Sequence, residues 1–270
     1  MCGRYVLKTG IKAVEKKFNV VAAQPELYVP SPNVAIGEYA PVVASDAPGA
    51  LQFFQFGFTP SWAKKRMYVI NARSEGNHNK EDDPRYSGAM GILEKPMFRR
   101  AIRSQRCLVI ADAFLEGSKT KRLSEPYVVY PQRGQAPFAM AGIWDEWVDT
   151  TTGDIHRSFA VITTVANALL QKIGHHRSPV ILDRESEQTW ISTDTPLSEV
   201  TSLLRAFDPA EFNAYRISSD IKSPRAKDFT LLKPIGERLN KDYDFEIYED
   251  IALEGMGETR ARQRRREEGG

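Results

Sequence analysis

The sequence predicts an α+β domain with a mostly antiparallel sheet. Many short apolar or alternating runs are bounded by Gly, Pro, Asn and Asp, which is the pattern of strands and turns. Only a few segments carry a helical period, and they fall between the strand runs. No internal repeat and no long Gly/Ser or Pro linker divides the chain, so residues 1–250 read as one continuous domain.

Taken in order, residues 11–19 (IKAVEKKFN) suit a short amphipathic helix. Prolines 25, 30, 32 and 41 make the stretch around 28–41 loop or extended structure. Residues 51–58 (LQFFQFGF) alternate as a strand does. Residues 59–85 are polar and rich in turn formers, and they read as a long surface loop of the kind that often carries function. Strands are expected at 106–111, 113–116, 126–130, 138–147 and 158–164, and helices at 166–173 and 197–207. Residues 251–270 form a charged tail that ends in five arginines, two glutamates and two glycines. It reads as a frayed, solvated end or as a non-specific phosphate contact.

The bulk numbers exclude several classes. With 41% hydrophobic and 27% charged residues, the chain of 270 residues is an ordinary globular protein able to bury a core. A net charge of +2 is too mild to argue for nucleic acid by itself, so a nucleic-acid site would have to be a local patch. Two cysteines without a CxxC partner give neither a disulfide framework nor a zinc site. Cys107, inside an apolar run, reads as core. The first twenty residues lack the apolar run of a signal segment, and no stretch is long enough to span a membrane. The expected location is the reducing cytoplasm, with Cys2 a free thiol. No metal or cofactor is expected.

The chemistry begins at Met-Cys-Gly-Arg-Tyr. A small residue at position 2 favours removal of Met1, which leaves Cys2 with an α-amine and a thiol on adjacent carbons. That pair condenses with an aldehyde to an imine and then closes a five-membered thiazolidine. The closure is intramolecular and gains a large effective molarity. An α-amine titrating near about 7.8 and a thiol near about 8.5 both react at neutral pH. A lone Cys2 is weak evidence; its company is stronger. The chain continues with Phe-Gly-Phe-Thr-Pro-Ser-Trp (56–62), Ile-Asn-Ala-Arg-Ser-Glu (70–75), Arg-Cys-Leu-Val-Ile-Ala-Asp-Ala-Phe-Leu-Glu-Gly (106–117), Phe-Ala-Met-Ala-Gly-Ile-Trp (138–144) and Gly-His-His-Arg-Ser-Pro-Val-Ile-Leu (174–182).

This ordered set resembles the SRAP family, the SOS-response-associated peptidases, over about residues 1–220. The resemblance implies a single domain with a barrel-like core and peripheral helices. It also implies a sensor of abasic sites in single-stranded DNA that forms a thiazolidine crosslink through Cys2 and shields the strand during the DNA damage response. Peptidase (hydrolase) activity, reversal of the crosslink and weak lyase activity are implied as well. Cys2 matches the family nucleophile, and Asn71 matches the asparagine of its Asn-Ala-Arg motif, to hold the Cys2 backbone or the sugar hydroxyls. Glu116 falls where the family has Phe-Tyr-Glu-Trp; here the run is Phe-Leu-Glu-Gly, so the acid stays while two aromatics are lost. A carboxyl at the end of an apolar strand has a raised pKa suited to proton transfer. His175 matches the family histidine, with His176 as its competitor and Ser178 in place of a methionine.

For DNA the same segments supply Arg4 and Arg73 on phosphates, Trp62 stacked on a base, Pro32 in an apolar wedge, and Gly3 and Ser74 beside them. Each has a plainer reading: Trp62 a core anchor, Asn71 a turn residue, Glu116 an edge residue facing solvent, His176 a structural histidine. Two rival functions stay open, an amino-terminal-cysteine peptidase or amidohydrolase and a DNA-binding module without covalent chemistry. A monomer is expected, since a reagent that acts once needs no second subunit.

Overall fold

The structure is a computed structural model, and it describes residues 3–132 and 134–240. Cys2 and the charged tail 251–270, both singled out above, lie outside the described residues.

The chain opens with β1 (Tyr5–Leu7), α1 (Ile11–Phe18), β2 (Val21–Ala22), β3 (Ser31–Val34), β4 (Tyr39–Ala44), β5 (Ala50–Phe56) and β6 (Asn71–Arg73). It continues with α2 (Ala101–Ser104), β7 (Arg106–Ala111), β8 (Ala113–Glu116), β9 (Tyr127–Pro131), β10 (Phe138–Val148) and β11 (Ile155–Val165). It finishes with α3 (Ala168–Ile173), β12 (Arg177–Pro179), β13 (Ile181–Leu182), α4 (Arg184–Ile191), α5 (Leu197–Ser202) and β14 (Phe212–Arg216).

The strands form two sheets. One is antiparallel throughout, in the order β14-β9-β8-β1-β3. The other runs β12-β11-β10-β7-β4-β5-β2, and β11 also pairs with β5. That last pairing closes β11, β10, β7, β4 and β5 into a small barrel, which removes the exposed edges an open sheet would leave. The α+β class and the antiparallel majority agree with the sequence reading. The parallel pairings of β11 with β5 and with β6 were not foreseen.

Burial explains the pattern. In the first sheet, alternation splits each strand between two cores. Tyr5 and Leu7 of β1, Phe114 of β8 and Val129 of β9 face the barrel. Val6, Ala113, Leu115, Val128 and Tyr130 face a smaller cluster closed by Ile217, Ile221 and Leu232. Tyr5 meets Phe56 edge-on at 5.7 Å, and Phe56 stacks on Phe159 at 5.2 Å. Such pairs add roughly 1 kcal/mol each beyond area burial, and they fasten the sheet to the barrel. Cys107 is fully buried, and burial pushes its thiol well up.

Three readings need correction. Residues 59–85 are not one loop: β6 lies inside them, with a bridge between Phe58 and Val69. The helix expected at 197–207 ends at Ser202, and Leu204 and Phe207 enter the core as irregular chain. The helix α4 was missed. Its start is polar, and it is fixed by Asp183, whose carboxylate accepts from the Ser186 N–H at 2.8 Å, with Glu185 and Glu187 in the first turn. No helix of the described residues is long and apolar enough to cross a membrane.

Candidate active site

β8 places the acid. Period-2 alternation puts Glu116 on the same side as Phe114, toward the barrel and the chain leading into β12. The segment before β1 runs beside it, with the Leu115 N–H donating to the Arg4 carbonyl at 3.0 Å. α3 places the histidine. Asn167 caps the helix by accepting from the Leu170 N–H at 3.1 Å. Gly174 then turns the chain in the left-handed region at φ 79°, where glycine carries no Cβ penalty. His175 follows at once, and Arg177 begins β12.

The two groups meet. His175 Nε2 lies 3.2 Å from Glu116 Oε2, with both side chains almost wholly buried. On the far side of the ring, Nδ1 is 2.8 Å from the Arg177 carbonyl and 3.3 Å from its N–H. The shorter contact favours Nδ1–H as a donor to the carbonyl, which leaves Nε2 a lone pair facing the carboxyl. Burial pushes the Glu116 carboxyl up to about 7 and the His175 imidazole down to about 3. Between about pH 3 and 7 the pair therefore holds one proton, on the carboxyl, which is released around neutral pH.

Arg177 fixes the backbone around this pair. It forms a buried two-pronged ion pair with Glu75 at 3.0 and 2.7 Å and also donates to the Thr163 carbonyl. This ties the end of β6 to β11 and β12.

The pair lies in the wall of a cavity of about 650 Å³. Gly3, Leu115 and Ile70 share that wall, and Arg4, Lys119, Arg122 and Lys222 also line the cavity. Four cations thus gather in one place, a local concentration that the net charge does not reveal. Lys119 and Arg122 come from the loop between β8 and β9. At Gly117 an added Cβ would stand 1.8 Å from the Arg122 carbonyl oxygen, so the loop folds back over a residue that must be glycine. That accounts for Gly117 where the family has tryptophan. Leu115, in place of the family tyrosine, is buried. Another cavity, of about 610 Å³, is lined by Glu187, Lys17 and Phe212 and brings together none of the residues singled out in the sequence.

The other sequence-marked residues are spread more widely. Asn71 is half-buried on β6, opposite Val161. Arg73 lies two residues on, held by Asp82 at 2.9 Å. Trp62 is 60% exposed, so it is no core anchor. Two DNA-contact readings change. Ser74 is fully buried, and its hydroxyl donates to Glu75 at 3.2 Å, so it faces the protein. Pro32 is buried inside β3 and forms no wedge; the exposed apolar group at the cavity is Ile36, 46% exposed. His176 is half-buried, with Nε2 3.9 Å from Asp82, away from Glu116. Lys119, Arg122, Lys222 and Ile36 were not foreseen. The run Lys119–Arg122 was a readable basic signal, whereas Lys222 and Ile36 reach the cavity only through the fold. Among the described residues no cluster of three His, Cys, Asp or Glu side chains is arranged to hold a metal.

Comparison with known proteins fits this geometry. The sequence profile described as SOS response associated peptidase (SRAP) matches residues 1–224. The chain is 33% identical over 235 residues to "Abasic site processing protein YoqW" of Bacillus subtilis (strain 168), covering 83% of this chain and 96% of that one. It is 28% identical over 218 residues to "Abasic site processing protein HMCES" of Gallus gallus, covering 71% and 60%. A crystal structure of a protein from Bacteroides thetaiotaomicron superposes with a TM-score of 0.73 at 27% identity, over 87% of this chain and all of that one.

Proposed function

Because the chain belongs to the SOS response associated peptidase family, we propose that it processes abasic sites in single-stranded DNA by bonding to them through Cys2 once Met1 has been removed. The observation that carries this reading is the buried Glu116–His175 pair in a cavity lined by four cations. Gly3 is part of that wall, and Cys2 is joined to Gly3 by one peptide bond.

The chemistry suits an aldehyde. The Cys2 α-amine adds to the ring-opened sugar carbon, and the carbinolamine loses one water to give an imine. The thiol then adds to the imine carbon, its proton passing to nitrogen, and the thiazolidine closes. Water leaves only if its oxygen is protonated, and the Glu116 carboxyl, about half protonated at pH 7, is the donor in this reading. His175 Nε2 takes and returns that proton across 3.2 Å. Arg4, Lys119, Arg122 and Lys222 bind the flanking phosphates, with Arg73 further along, and Trp62 stacks on a neighbouring base. Ile36 fills part of the space where a base is missing. A strand already lacking one base is cheaper to splay than an intact one.

The test is incubation with a single-stranded abasic oligonucleotide, read by denaturing gel and intact mass. A heat-stable adduct of the oligonucleotide's mass less one water, absent with intact DNA and with Cys2→Ala, is expected. No adduct from protein with Met1 confirmed absent overturns the proposal. Cys2-dependent release of small amide products without any adduct would replace it with the amidohydrolase reading.

A further inference from the structure

A carboxylate stands beside Lys119, one of the four cavity cations, and beside Arg73, which lies outside that cavity's lining. Asp82 Oδ1 lies 2.9 Å from Arg73 Nη2 and 3.9 Å from Arg177 Nη1. Its Oδ2 lies 3.4 Å from Lys119 Nζ and 3.9 Å from His176 Nε2. These groups come from β6, the β8–β9 loop and the chain around the start of β12, so one side chain bridges three separate segments. Arg177 is already matched by Glu75, which leaves Asp82 to answer Arg73 and Lys119.

Asp82 is presented by a built turn. The Asp83 N–H donates to Asn79 Oδ1 at 2.9 Å, and Asn79 Nδ2 donates to the Asp83 carbonyl at 3.0 Å. Within that closed turn Asp82 adopts φ 57°, a left-handed conformation rare outside glycine but tolerated by Asp and Asn. The backbone is held so that the carboxylate points into the cations. One donor stays in reserve: Arg73 Nε is buried without a hydrogen-bond partner among the described residues. A carboxylate with two oxygens leaves it unmet, whereas a phosphodiester arriving with its neighbouring sugar oxygens has more acceptors to offer.

We propose that Asp82 is an internal anion that occupies a nucleic-acid phosphate position among Arg73, Lys119 and His176 and restrains binding of single strands. The inference rests on the DNA reading above and adds a restraint to it. A strand phosphate must displace Asp82, so electrostatic capture of any passing strand is weakened, and selection falls to the covalent step at the aldehyde. A residue that only positioned Arg73 for DNA would have the opposite effect when neutralised, which makes the sign of the change decisive.

The experiment is fluorescence anisotropy of a short labelled single-stranded oligonucleotide without abasic sites, titrated with the full chain over a range of salt. Asp82→Asn keeps the shape and the left-handed backbone and removes the charge. Affinity about tenfold tighter than wild type at low salt is expected. The plot of log affinity against log salt should steepen by about 0.7 for each uncovered cation. Asp82→Glu should bind within about twofold of wild type. Unchanged or weaker binding by a folded Asp82→Asn overturns the inference and leaves Asp82 a positioning residue. If Asp82→Asn does not fold, Asp82→Gly, which also accepts the left-handed backbone and removes the charge, carries the test: clearly tighter binding at low salt supports the inference, and unchanged or weaker binding overturns it. Binding by neither wild type nor Asp82→Asn counts against the DNA reading itself and takes the restraint down with it.

Discussion

The residue given proton transfer in the proposed reaction is a glutamate whose burial opposes its charge. Glu116 in the unfolded chain ionises near 4.5, and in the fold it holds its proton up to about 7. A raised carboxyl pKa means that the native state binds more protons, so stability is lost as pH rises from 4.5 to 7. His175 acts oppositely. Its pKa falls from 6.5 to about 3, so stability is lost as pH drops through that range. Between about 4.5 and 6.5 the two slopes cancel, because folded and unfolded pairs each carry one proton. Glu116→Gln removes only the first slope. Its stability relative to wild type should therefore improve between pH 4.5 and 7 and stay improved above, by about 3 kcal/mol. Thermal melts at pH 4.5 and 8 measure this. A gain in Tm of roughly 5 °C or more at the higher pH over the lower is expected. A constant difference across that range would show that Glu116 is not held protonated.

At the scale of elements, the site depends on how two connections are tied. The β8–β9 loop and the turn after α3 are joined where the Lys119 N–H donates to the Gly174 carbonyl at 2.9 Å. Gly117 lets the first loop close, because a Cβ there would meet the Arg122 carbonyl oxygen at 1.8 Å. Gly117→Ala must push the loop outward together with Lys119 and Arg122. The expected outcome is a stability loss of about 1–3 kcal/mol and single-strand binding weakened several-fold. Binding equal to wild type in a folded variant would mean that the loop's cations do not touch DNA. Legibility at this scale follows length. β10 and β11, with eleven residues each, showed their pattern plainly. β6 has three residues, too few to display alternation, and it exists because β11 offers an edge to pair with.

For the whole molecule, the question the proposed function raises is how a chain of net charge +2 would bind a polyanion. The answer is concentration of charge. Arg4, Lys119, Arg122 and Lys222 come from three places in the sequence and meet at one cavity. Four phosphate contacts on a single strand predict a slope of about −3 in log affinity against log salt between about 50 and 200 mM. A slope near zero in anisotropy titrations would show that this set does not meet phosphates. The five-stranded sheet makes the convergence possible, since β1 pairs with β8 and β14 joins them through β9, which brings together the segment before β1, the β8–β9 loop and the chain after β14.

The sequence by itself determined the fold class and most of the long strands, and it marked Glu116 and the His175–His176 pair as candidates. Those depend on local alternation and on motifs that survive as contiguous letters. It marked Arg73 but not its partner Asp82, and it named Ser74 and Pro32 as contacts although both side chains are buried. Only the tertiary structure decided which of two adjacent histidines faces Glu116, which cations share a cavity and which way each short side chain points. These are relations between residues far apart in the chain. The helix-to-strand turn at Gly174, and not any property of the pair His175–His176 itself, aims one ring at the carboxyl and the other at Asp82.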